Sequence, residues 1–133
     1  MPPFTAEAEG DLRQALGHSG REEVVGFLLA VDAEDPAWFW RLRNYGEQPG
    51  VFALDELEVE RVRRAAARRG ERIVAFVHSH TSSLDLSPPD RRSQLLTRLP
   101  WLVVHLDGSE LRWRLHRGAR VLSNPSTLSA APK

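Results

Sequence analysis

No cysteine occurs in the 133 residues. That excludes disulfides, cysteine-ligated iron–sulfur clusters and thiolate nucleophiles, and it leaves the redox state of the compartment open. Neither sign of charge is in excess, with 18 Lys and Arg against 18 Asp and Glu. Bulk electrostatics therefore points to neither nucleic acid nor a membrane surface as a partner. No apolar run is long enough to cross a bilayer, and the start of the chain lacks the basic-then-apolar pattern of a secretion signal. Cytoplasmic residence is the default expectation. No internal repeat is present. What the chain does have is 41% hydrophobic residues, enough for one core in one domain. We place that domain at residues 1–122. Residues 123–133, Ser-Asn-Pro-Ser-Thr-Leu-Ser-Ala-Ala-Pro-Lys, read as a disordered tail.

Residues 1–5 read as loose, and 6–16 as a short helix with Thr5 as its cap. Gly10 weakens that helix, and the Gly17-His18-Ser19-Gly20 segment ends it, with His18 on the surface. Residues 23–31 and 37–42 read as a strand pair joined by the turn chemistry of 32–36. Trp38, Trp40 and Leu42 share one face and are the better candidates for burial, with Phe39 and Arg41 opposite. Residues 55–69 form the clearest helix. Asp55 and Glu58 resemble a capping box, Glu60 and Arg64 are an i, i+4 pair, and Gly70 is a natural stop. Leu54, Val59, Val62, Ala65 and Ala66 line its apolar face. Its arginines read as a solvated face balanced by Glu56, Glu58 and Glu60, rather than as a nucleic-acid patch. Later, 101–106 and 111–115 read as a hairpin around Asp107-Gly108, with a short strand at Val121 and Leu122. His105 and His116 read as core or edge histidines, not as metal ligands. The mixed order of elements predicts an α/β or α+β sandwich around a mixed central sheet.

The chemistry concentrates between His78 and Asp90. Residues 72–78, Arg-Ile-Val-Ala-Phe-Val-His, follow Gly70 and are rich in β-branched and aromatic side chains, so they read as a strand covered on both faces. Side chains alternate along a strand. His78 and His80 thus leave one face and can converge on one ion. A His-x-His pair alone more often marks ordinary histidines than a metal site. Ser87-Pro88-Pro89-Asp90 reads as a helix start, with serine at the N-cap and proline in the first turn. Taken alone, that segment is also a capping box with a carboxylate favoured by the helix dipole. A carboxylate beside two imidazoles would complete a three-ligand zinc site with one position open to water. Glu22 and Glu23 stand at the start of an earlier strand and would face opposite sides of it.

In conjunction these residues resemble the JAMM, or MPN-plus, metallopeptidases. That family carries a distant glutamate, then His-x-His, then Ser-x-x-Asp, and the counterparts here are Glu23, His78, His80, Ser87 and Asp90. The Glu23-Val24-Val25-Gly26 segment looks like the family's Glu-x-x-Gly. Asn44, Pro49 and Phe52 resemble the stretch before its first long helix. The resemblance spans roughly residues 20–115. Thr81 stands where the family usually has proline, and Ser87 follows His80 by seven residues where the family usually has eight. Ser83 has no aspartate at the right offset, and Ser82-x-x-Asp85 lies too close to His80.

The resemblance implies a curved mixed sheet flanked by helices. It implies one zinc ion per chain on His78, His80 and Asp90, with Glu23 as general base and Ser87 as an oxyanion donor. The implied activity is that of a deubiquitinase-like isopeptidase or peptidase. It would cleave amide bonds at the C-terminus of ubiquitin-like proteins, and small single-domain forms resemble prokaryotic members acting on sulfur-carrier types. The alternative is an inactive MPN-type scaffold.

Overall fold

A computed structural model describes residues 2–19, 23–46, 53–80, 83–118 and 120–123 of the chain. Over these, three helices and six strands follow in the order α1 (Ala6–His18), β1 (Val25–Ala30), β2 (Trp38–Leu42), α2 (Glu56–Arg68), β3 (Arg72–Ser79), α3 (Pro88–Thr97), β4 (Trp101–Asp107), β5 (Glu110–Arg117) and β6 (Arg120–Ser123). The strands make one mixed sheet in the order β2-β1-β3-β4-β5-β6. β3 and β4 are parallel and every other neighbouring pair is antiparallel. A parallel pair cannot be joined by a tight turn, and α3 supplies the crossover.

Both faces of the sheet are covered, which accounts for the unbroken apolar runs in β1 and β3. On one face α1 contributes Ala8, Leu12 and Ala15 to a core with Val24, Leu28, Val77, Leu102 and Val104. On the other, Val62 and Ala66 of α2 pack with Val25, Phe27, Phe76, Trp101 and Val103. Val62 and Ala66 are four apart and so lie on one side of the helix. Arg61, Arg63, Arg64 and Arg68 face water, and Arg64 pairs with Glu60 at 3.3 Å.

Several local expectations change in the fold. The chain's start is not loose. Phe4 is 2% exposed, packs edge-on against Trp113 and bridges to Ala37. The Gly17 stop is overrun by one residue, because Leu12 and Ala15 anchor α1 on the sheet and carry it to His18. Leu42 is buried, but Trp38 and Trp40 are only half-buried, and Phe39 on the other face is buried because α1 covers it. Asp55 caps α2 through Leu57 N, but Glu58 receives Arg43 N instead of closing the box. Ser123 belongs to β6 and not to a tail. Residues 124–133, and with them most of that expected tail, lie outside the described residues, as do the side chains of Leu95 and Leu96.

Gly26 leaves no room for a side chain. A Cβ there would lie 2.4 Å from both Phe39 Cε1 and the Trp40 carbonyl oxygen. The backbone oxygen cannot swing away. Gly26→Ala is expected to destabilise the fold by about 1–3 kcal/mol, the usual cost of overpacking. Urea unfolding of the variant beside the natural chain checks this as a lowered midpoint with an unchanged slope.

Candidate metal centre

The site lies where β1 and β3 meet on the α2 side of the sheet. Val25 pairs with His78, so Glu23, two residues before Val25, sits on the same face just ahead of the strand. Its backbone is held from both sides. Val24 N–H donates to Ser79 Oγ at 2.8 Å, and Ser79 N–H donates to Val24 O at 2.9 Å. Asn44 Nδ2 donates to the Glu23 carbonyl at 2.8 Å, while Asn44 Oδ1 receives Gly46 N and Ala53 N. His78 is fully buried. Its ring stacks on Phe76 and meets Trp101 edge-on.

Glu23, His78 and His80 form a group that could hold a metal ion, with one ligand atom from each lying within 4.8 Å of the others. Glu23 Oε1 receives His78 Nδ1–H at 2.6 Å. Ser83 O receives His80 Nδ1–H at 3.0 Å. With a proton on each Nδ1, the ring nitrogen left for a metal is Nε2. Asp90 Oδ2 lies 3.1 Å from His80 Nε2 and 4.0 Å from His78 Nε2. Both ring nitrogens of His80 thus face oxygen atoms, with Nε2 directed at the Asp90 carboxylate. The donor set fits a metal on that observation.

Ser87 caps α3 and closes a full capping box. Ser87 Oγ receives Asp90 N–H at 3.2 Å, and Asp90 Oδ2 receives Ser87 N–H at 3.1 Å. The cap and the carboxylate's approach to His80 are one arrangement. The seven-residue spacing from His80 to Ser87 brings Asp90 within reach. Because Ser87 Oγ serves the cap as an acceptor, its own O–H remains to be donated outward. Glu23 and Asp90 are buried, 7% and 9% exposed, while Ser87 is exposed.

Four residues around this cluster carried no signal in the sequence. Ser79 is the middle of His-x-His, and nothing in its type announces the bond to Val24. His116, read as a core or edge histidine, is 5% exposed and donates from Nε2 to Leu84 O at 2.9 Å. Gln94 Nε2 donates to the His116 carbonyl at 2.7 Å, and Arg114 pairs with Asp85. Glu22, Pro49, Phe52, Thr81 and Ser82 lie outside the described residues. His18 is exposed, as expected.

Burial holds the pKa of His116 below its ordinary 6.5, against the opposing pull of the Leu84 carbonyl. The unfolded chain therefore takes up the proton first. This contribution to stability is complete above about pH 6.5 and is lost as the pH falls from there through the lowered folded-state value. In metal-free buffer, the unfolding free energy of the natural chain minus that of His116→Gln is expected to decline across that window and to be flat above it. Denaturant titrations at stepped pH check the sign.

No family model and no curated protein matches the chain. Solved structures do. A protein of Desulfitobacterium hafniense, solved in solution, aligns over 91% of this chain and 88% of its own, with a TM-score of 0.72 at 19% identity. A solution structure from Salinibacter ruber aligns over 98% and 94%, with a TM-score of 0.56 at 20% identity. At such identities the likeness is one of fold alone.

Proposed function

We propose that the chain is a one-zinc metallopeptidase that hydrolyses an amide bond at the C-terminus of a ubiquitin-like protein, of the sulfur-carrier type, either trimming it or releasing it from a conjugate. The observation that carries the reading is the convergence of His78, His80 and Asp90, with Glu23 bonded to the first histidine. A tetrahedron with metal–ligand bonds of 2.0–2.1 Å has edges of roughly 3.3 Å. The 3.1 and 4.0 Å separations around Asp90 Oδ2 bracket that length. The chain has no cysteine, and two imidazoles with a carboxylate are a set suited to a catalytic rather than a structural zinc.

His78, His80 and Asp90 would hold the ion. Bound zinc would supply a water acidified toward a pKa of about 7. Glu23 has two duties. Oε1 fixes the tautomer and plane of His78, and the second carboxylate oxygen accepts a proton and returns it to the leaving amine. Ser87 O–H, oriented by its cap to Asp90 N, donates to the oxygen that gains charge on the scissile carbonyl. Burial of Glu23, and of His78 against Phe76 and Trp101, lowers the local dielectric and strengthens these interactions.

Native mass spectrometry should find about one zinc per chain in the natural protein and a weakened or lost ion in Asp90→Ala. One zinc in both would mean the ion is held elsewhere. None in either, after reconstitution, would favour the scaffold alternative. Glu23→Gln keeps an oxygen for His78 Nδ1 and should retain zinc while hydrolysis of isopeptide-linked and C-terminally extended ubiquitin-like substrates falls about 10²–10⁴-fold. Cleavage that survives both Glu23→Ala and zinc removal sinks the mechanism. Ser87→Ala should lose two things at once: about 10²–10³ in rate and about 0.5–2 kcal/mol of stability from the missing cap.

A further inference from the structure

The turn at residues 83–86 touches the site at one end and the sheet at the other. Ser83 O receives His80 Nδ1–H. The next carbonyl, Leu84 O, receives His116 Nε2–H. The next side chain, Asp85, pairs with Arg114, and Asp85 N–H donates back to Ser83 Oγ at 3.1 Å. Leu86 is buried in the core under the site. Three successive residues are thus fixed, and two of the three anchors come from β5. Arg114 and His116 stand two apart on that strand, opposite Val103 and Trp101. They therefore share the face that carries His78.

His116 makes a second connection through its backbone. Its carbonyl receives Gln94 Nε2–H, and Gln94 lies one helical turn beyond Asp90 on the same side of α3. One residue of β5 thus grips both segments that must meet at the site, the turn beneath His80 and the helix bearing Asp90. Burial disfavours the charged form of His116, so a neutral ring with its proton on Nε2 suits the Leu84 bond.

We propose that His116 is a positioning residue, whose ring pins the 83–86 turn and whose carbonyl pins α3, and that these two bonds set the separation between His80 and Asp90. The proposal rests on reading His80 and Asp90 as ligands, and its test is built to fail separately from that reading.

The test compares His116→Phe, which keeps a ring of similar size without the donor, with Leu111→Ala, which weakens β5 from the opposite face. Amide hydrogen exchange is read on both metal-free proteins, and zinc affinity is read by competition with a chromophoric chelator. His116→Phe is expected to speed exchange at Asp85, Ser87 and Asp90 while leaving Val77 and Leu102 protected. It should also weaken zinc about 10–100-fold, the usual effect of losing an outer-shell partner. Unchanged exchange at those amides overturns the proposal. So does a uniform acceleration matched by Leu111→Ala, since His116 would then only stabilise β5. Faster local exchange with unaltered zinc affinity also overturns it, because the pin would then hold the turn and not the ligands. If the natural chain takes no zinc, the metallopeptidase reading fails, and the exchange pattern alone decides whether His116 pins the two segments.

Discussion

The 2.6 Å bond from His78 Nδ1 to Glu23 Oε1 ties the entrance of β1 to the end of β3. Much of the site follows from it. A carboxylate and an imidazole buried together cost desolvation, and only a direct charge-assisted bond offsets that cost. Once made, the bond fixes the ring of His78, turns Nε2 toward Asp90 and forces the register in which Val25 faces His78. A slip of one residue would put both histidines on the α1 face. Gly26 keeps the neighbouring β2 close enough for this register to hold, and Ser79 and Asn44 clamp the Glu23 backbone so that the carboxylate has little choice of position.

The second half of the site is organised by a helix terminus. Asp90 is at once the acidic partner of a capping box and the neighbour of two imidazoles. These roles reinforce each other. The cap fixes the first turn of α3, which fixes the carboxylate, and it uses the Ser87 hydroxyl only as an acceptor. The structural and the chemical accounts of Ser87-x-x-Asp90 are therefore not rivals.

Much of the fold was legible because its signals are local. The β-branched apolar run of β3, the Asp-Gly turn before β5 and the Ser-Pro-Pro start of α3 each carry their own physics. The convergence of Glu23, His78, His80 and Asp90 was legible only in conjunction, since no single pair is distinctive. What stayed hidden is what depends on contacts distant in sequence. Phe4 has no periodic neighbours to mark it as core; it is buried because Trp113 and Ala37 lie over it. Phe39 looked outward until α1 was placed. His116 looked ordinary because its partners, Leu84 O and Gln94, are 32 and 22 positions away. The failed box at Glu58 has the same cause: the Arg43 amide competed for the side chain and won it.

The sheet order also sets a sequence of events in time. Glu23 and His78 are 55 positions apart, and they meet only when β1 has added alongside β3, a non-local pairing that must first overcome loop-closure entropy. The two histidines alone, one residue apart, make a poor chelate without the strands that aim them. In zinc fingers, by contrast, ligand spacing is short and the ion drives the folding. Here the candidate group is gathered by strand pairing between residues distant in sequence. A chain still emerging during synthesis has its histidines before it has β4 and β5, the strands that complete the sheet around them. The group able to take a metal is therefore assembled only by the completed pairing of β1 with β3.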